Sequence, residues 1–178
     1  PVGANVKEVF MNDGVIAAAD TGTVMIDSST IDVETAQAAY AAAKAAGFDM
    51  IDAPVSGGVT GADAGTLTFM CGGDKNTFEK AKPILQCMGK NIIHCGNAGL
   101  GQVTKICNNM LAGINALAAS EAMVMGERLG VSRQTLYDVI STSTGRSYIF
   151  ENSNPMSGVC ANSPANNDFK PGFMAKLM

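Results

Sequence analysis

From Gln102 to Leu129 the sequence contains no proline, and its two internal glycines, Gly113 and Gly126, stand alone. Such a stretch specifies one long helix, and Gly130 supplies its stop, because glycine readily takes the left-handed turn that ends a helix. Ser132 then predicts the cap of a second helix running to about Ser143. Beyond Gly145 the chain is rich in Asn, Ser, Pro and Gly and reads as loop or short helices.

Upstream the character differs. Thr23-Val24-Met25-Ile26-Asp27 is a short apolar run stopped by Ser28-Ser29-Thr30, and Thr30 or Asp32 can cap the next helix. Val33 to Ala46 is alanine-rich and closes at Gly47, which predicts that helix; Phe48 to Ala53 predicts another strand. Strand, helix, strand at this spacing is a βαβ unit and implies a parallel sheet. Leu67 to Met70 and Asn91 to His94 predict further strands, with a helix from about Asp74 to Met88 interrupted or kinked at Pro83. A boundary near Gly99 divides an α/β part, residues 1–98, from an all-α part, residues 99–178.

Composition removes several function classes. Hydrophobic residues reach 47 %, enough for a packed core, while the net charge of −4 and the lack of a basic stripe argue against nucleic-acid partners. No apolar run reaches the ~20 residues of a membrane span. Five cysteines without a C-x-x-C pair, and a single histidine, argue against a metal site and for reduced thiols. His94, at a strand end, reads as structural. The chain opens on Pro1 rather than Met and without a signal-peptide pattern, so it is expected to be an internal fragment, with any targeting segment upstream.

Two stretches carry chemistry. In Gly99-Leu-Gly101-Gln-Val-Thr-Lys105-Ile-Cys-Asn108-Asn109, helical periodicity puts Asn109 about 40° and Asn108 about 60° either side of Lys105. Ile106, Met110, Leu111 and Ile114 are expected to be buried beside them, which would desolvate the lysine, lower its pKa and suit it to proton transfer. From helix geometry alone, an ordinary lysine on a solvated face is the better reading. The second stretch, Asp52-Ala-Pro-Val-Ser56-Gly57-Gly58, comes directly after a strand; its paired glycines can turn N–H groups toward an anion, with the Ser56 hydroxyl beside them. A plain turn is the alternative. Gly96-Asn-Ala-Gly99-Leu-Gly101 has its glycines in the reverse order of a G-x-G-x-x-G dinucleotide loop and is not one.

Together these motifs resemble the β-hydroxyacid dehydrogenases, and within them the 3-hydroxyisobutyrate dehydrogenase branch, over essentially the whole chain. The resemblance makes Lys105 the catalytic proton carrier, Asn109 a substrate-positioning residue, and Ser56, Gly57 and Gly58 the holders of a substrate carboxylate. Pro1, Asn5 and Thr30 would line the nicotinamide side of the cofactor site. It implies NAD as cofactor, with NADP not excluded, a small 3-hydroxy acid as substrate, no metal, and a homo-oligomeric complete enzyme. The reaction implied is oxidation of 3-hydroxyisobutyrate to methylmalonate semialdehyde, in valine breakdown. The compartment would be the mitochondrial matrix in a eukaryote and the cytoplasm in a bacterium. The implied fold is α/β: the second half of a Rossmann-type dinucleotide-binding domain, then the start of an all-α domain with a long interdomain helix. The Asn154-Pro155 to Asn167 loop favours this branch over the tartronate semialdehyde reductases. A non-catalytic binding module on the same fold is the other alternative, and Lys105 argues against it. The family's glycine fingerprint, expected before Pro1, is absent, as is an Ala-Lys-Asp motif expected after Met178. Lys176 does not match that motif and receives no role.

Overall fold

A computed structural model of the chain describes residues 2–168. Pro1, the 169–173 stretch shared with the reductases, and Lys176 lie outside the described residues. The chain divides into two compact units, Pro1–Cys107 and Asn108–Met178.

The first unit opens with two short helices not foreseen from sequence, α1 (Gly3–Phe10) and α2 (Val15–Ala18). Strand β1 (Val24–Asp27), helix α3 (Val33–Ala45) and strand β2 (Asp49–Asp52) form the expected parallel unit, with Val24 to Asp27 paired in step with Asp49 to Asp52. Of the two candidate caps it is Asp32 that holds α3, its Oδ1 accepting the Thr35 N–H at 2.7 Å.

The sheet then departs from the parallel expectation. Strand β3 (Val55–Ser56) continues the line of β2 after Ala53 and Pro54, and helix α4 (Gly58–Asp63) turns the chain back into β4 (Leu67–Gly72). The pairs Asp52↔Gly72, Val55↔Phe69 and Ser56↔Thr68 are antiparallel and in one register, so β2 and β3 act as one strand broken at Pro54. Proline lacks the ladder donor, but its carbonyl still accepts the Met70 N–H at 3.0 Å. The sequence reading missed this wide hairpin because α4 fills its turn, so no two-residue turn signal marks it. Helix α5 (Lys75–Leu85) leads into β5 (Gly89–Gly96), parallel to β4. Pro83 does not interrupt α5, which stops two residues later.

Side chains alternate across the strands, which gives the sheet two apolar faces. Met25 and Met50 pack with Val6, Ala36, Ala39 and Ala43 of α1 and α3. Ile51, Phe69 and Cys71 pack with Phe78, Ala81 and Leu85 of α5 on the other face. His94 is structural: its Nε2–H donates to the Gly73 carbonyl at 2.8 Å and its ring lies 4.9 Å from that of Phe78.

Helix α6 (Leu100–Arg128) is the long helix read from the sequence, and Gly130 comes after it with φ 94°. In the second unit, α7 (Arg133–Ser141) is capped by Ser132, and α8 (Tyr148–Asn152) by Ser147. Ala119, Met123, Phe150 and Val159 form the core there. A 3-10 turn, Pro164–Asn167, closes the described loop. No helix among the described residues is long and apolar enough to cross a membrane.

Candidate active site

Lys105 is buried to 6 % exposure although Thr104 and Ile106, next to it in the chain, are exposed. Ile106, Met110, Leu111 and Ile114, expected to be buried, are all about half exposed, and Val103 and Thr104 are exposed too. The buried face of this part of α6 is polar instead: Gln102, Lys105 and Asn109. Spacings of three and four residues place these on one side of a helix, while the apolar residues share the rest of its circumference with polar Thr104 and Asn108. Lys105 is therefore desolvated, but not by the residues named from sequence. Burial alone pushes its ammonium below the ordinary lysine range, and no hydrogen bond or ion pair to it is found among the described residues. Asn109, one turn on, is 3 % exposed, and its Oδ1 accepts the amide of exposed Asn108 at 3.2 Å.

The start of α6 is fixed by two residues that the sequence reading gave no role. Asp52, at the end of β2, accepts the Gly99 N–H on Oδ1 at 2.7 Å and the Gln102 N–H on Oδ2 at 3.0 Å. Burial raises the Asp52 carboxyl pKa, the two backbone donors oppose that rise, and neighbouring Asp27 adds to it. Gln102 is fully buried; its Oε1 accepts the Ile31 N–H at 3.1 Å and its Nε2 donates to the Ser29 carbonyl at 2.8 Å. Thr30 lies between those two residues, half-buried, in the loop from β1 to α3.

Ser56 ends β3 half-buried, and the glycines after it are exposed. Gly57 has φ 134° and Gly58 has φ 59°, both in the region that glycine alone enters freely, and a side chain at Gly58 would meet only open space. The chain reaches this turn directly from Asp52 through Ala53 and Pro54. One carboxylate thus joins the start of the lysine helix to the strand that leads into the glycine turn. Asn5 is exposed on α1, where its Oδ1 accepts the Val2 N–H at 3.0 Å; no bond among the described residues ties it to Thr30 or Lys105.

The Asn154 loop is built largely from its own polar groups. Asn154, fully buried, donates to the Phe150 carbonyl at 3.1 Å and accepts the Met156 N–H at 3.0 Å. Asn166 accepts the Gly158 N–H at 2.8 Å and donates to the Cys160 carbonyl at 2.9 Å. These two asparagines hold backbone.

Residues 1–96 match the family model described as the NAD binding domain of 6-phosphogluconate dehydrogenase. Residues 99–178 match the model described as NAD-binding of NADP-dependent 3-hydroxyisobutyrate dehydrogenase. The chain belongs to the 3-hydroxyisobutyrate dehydrogenase family. Among its relatives is the Mycobacterium tuberculosis (H37Rv) protein named "Probable 3-hydroxyisobutyrate dehydrogenase", 48 % identical over all of this chain and 60 % of its own length. The NAD-dependent L-serine dehydrogenase of Pseudomonas aeruginosa is 43 % identical over 100 % of this chain and 60 % of that protein. The solved structure of Mycobacterium tuberculosis 3-hydroxyisobutyrate dehydrogenase with L-serine superposes with a TM-score of 0.90 at 48 % identity, over 99 % of this chain and 60 % of that one. The chain therefore spans about 60 % of the length of these three relatives.

Proposed function

We propose that the enzyme carrying this chain oxidises a small 3-hydroxy carboxylic acid with NAD, and that 3-hydroxyisobutyrate, giving methylmalonate semialdehyde, is its substrate. The observation that carries this reading is Lys105, a buried lysine without a counter-ion among the described residues, whose pKa burial lowers. As a free amine it accepts the proton of the substrate hydroxyl. In the reverse direction its ammonium returns that proton to the carbonyl oxygen. Asn109, a neutral amide one turn away, orients the substrate oxygen without adding charge. Ser56 and the Gly57–Gly58 backbone hold the carboxylate, a role supported by the exposure and positive φ values of the two glycines.

The residues fit the nicotinamide half of the cofactor: Thr30 sits off the carboxyl end of β1, where ligands of open α/β sheets bind, in a loop fixed on both sides by Gln102. Thr30 and Asn5 would hold it, with Pro1, and NADP is the alternative cofactor. NAD, when bound, would supply the hydride acceptor for the substrate carbon. Residues 1–98 serve cofactor and carboxylate in this scheme, and residues 99–178 carry the proton transfer.

A second substrate is favoured by the relative named for L-serine and the solved structure with L-serine. L-Serine is also a 3-hydroxy acid and would use Lys105 and the glycine turn identically, differing only at C2. Comparison of kcat/KM for 3-hydroxyisobutyrate, L-serine and glycerate tests the assignment. We expect 3-hydroxyisobutyrate to lead; preference for L-serine would reassign the substrate, and preference for glycerate would favour a tartronate semialdehyde reductase.

A further inference from the structure

We propose that Asp52 and Gln102 are positioning residues for Lys105, aligning the first turn of α6 so that the amine meets the substrate hydroxyl; this rests on the proton-transfer reading of Lys105. The first N–H groups of a helix have no partner within it. The economical solution is a local one, in which a Ser or Thr at the cap takes the third helical N–H while a Glu or Gln at that third position reaches back to the cap N–H. Helix α6 has Gln102 at that third position but only glycine, Gly99, at the cap. Asp52, far away in sequence, takes over both tasks: Oδ1 accepts the cap N–H of Gly99 and Oδ2 the third-position N–H of Gln102.

This substitution has a consequence for Gln102. Relieved of the cap, its amide turns outward from the helix and bonds both neighbours of Thr30, through the Ile31 N–H and the Ser29 carbonyl. The first turn of α6 is thereby fixed to two places, the end of β2 and the β1–α3 loop. Two bonds to two oxygens of one carboxylate restrict rotation as well as translation. The surrounding backbone is shaped for that carboxylate. A Cβ on Gly101 would lie 2.6 Å from Asp52 Oδ2, and one on Gly72 would press on Asp52 Oδ1 and come 2.8 Å from the Gly101 nitrogen.

A buried carboxylate is a costly cap, since desolvation opposes its charge. A serine cap normally avoids that cost, but Gly99 has φ 86°, a conformation that strains any side chain placed there. What the carboxylate adds is a fixed relation between β2, α6 and the Thr30 loop. Lys105 is the next buried residue along α6 after Gln102, about 4.5 Å further along the axis. The first turn of α6 sets where the backbone of Lys105 stands, and with it the start of the buried side chain.

The test uses Asp52→Asn and Gln102→Met in the complete enzyme, with Lys105→Ala alongside. For each positioning variant we expect kcat for alcohol oxidation to fall about 10-fold or more, the scale of small misplacements of a reacting group, with KM for the acid little changed. The rising limb of kcat against pH should move to higher pH as Lys105 becomes better solvated and holds its proton longer. Gln102→Met alters no charge, so a shift there reports position alone. A lowered Tm with unchanged kcat and pH limb per folded enzyme would overturn the proposal. Loss of soluble protein in both variants would also overturn it, making the two residues determinants of folding. If Lys105→Ala keeps its turnover, the proton-transfer reading has failed and takes the proposal with it. If only Lys105→Ala is impaired, the positioning role alone is wrong.

Discussion

In the proposed reaction Lys105 would trade stability for chemistry. Its ammonium is buried without a counter-ion among the described residues, and that burial lowers its pKa. Between the lowered value and the ordinary 10.5 of an exposed lysine, the unfolded chain binds more protons than the folded one. Stability from this group therefore rises with pH across that window, and the penalty is fully present below it. Lys105→Met keeps the length of the side chain and removes the charge. The variant should have a higher Tm than the parent at pH 7, with the gap narrowing as pH is raised toward 10.5. Equal Tm values at every pH would mean that the lysine is not desolvated. The family resemblance singled out Lys105, whereas helix geometry alone favoured an ordinary solvated lysine and assigned any desolvation to the wrong neighbours. Periodicity tells which residues share a face of α6, not which face is covered. Apolar Ile106, Met110, Leu111 and Ile114 looked like the inner side, yet the buried side is the polar one.

At the scale of the element, α6 was legible as a helix because nothing in its sequence breaks it, but the fixing of its start was not. The Gly99-Leu-Gly101 stretch could be excluded as a dinucleotide loop from its spacing alone. Its positive role depends on Asp52 and Gly72, some fifty and thirty residues away along the chain, and no local pattern links them. A glycine inside a helix is normally improved by alanine, by about 1 kcal/mol. At Gly101 the added methyl would collide with the Met70 carbonyl oxygen and sit 2.6 Å from Asp52 Oδ2. Overpacking of that kind costs about 1–3 kcal/mol, which outweighs the gain in propensity. Gly101→Ala should thus lower the denaturant midpoint. A raised midpoint would show that the β2–α6 junction has room to spare. The caps of α3 and α7, by contrast, were readable because Asp32 and Ser132 act on their own helices.

Across the whole molecule, the change from an α/β part to a helical part was visible in sequence, as were four of the five strands. The strand directions were only half visible. The βαβ unit of β1, α3 and β2 obeys a local rule and is parallel as expected, whereas β4 runs antiparallel because α4 closes a wide hairpin at Gly57–Gly58. That turn brings Ser56 and the two glycines out at the end of the β2–β3 line, so the irregularity that defeated the sheet reading is also what presents the proposed carboxylate site. The proposed chemistry converges on one proton. In that scheme oxidation would need Lys105 as free amine, so kcat in that direction should rise as pH passes its lowered pKa, and kcat for aldehyde reduction should fall over the same range. The most direct test is the pH profile of kcat for 3-hydroxyisobutyrate oxidation by the complete enzyme and its Lys105→Ala variant. We expect a loss of about 10²-fold or more in the variant, the scale of a missing general base, together with disappearance of the rising limb. Near-normal turnover with the parent's pH profile would contradict it.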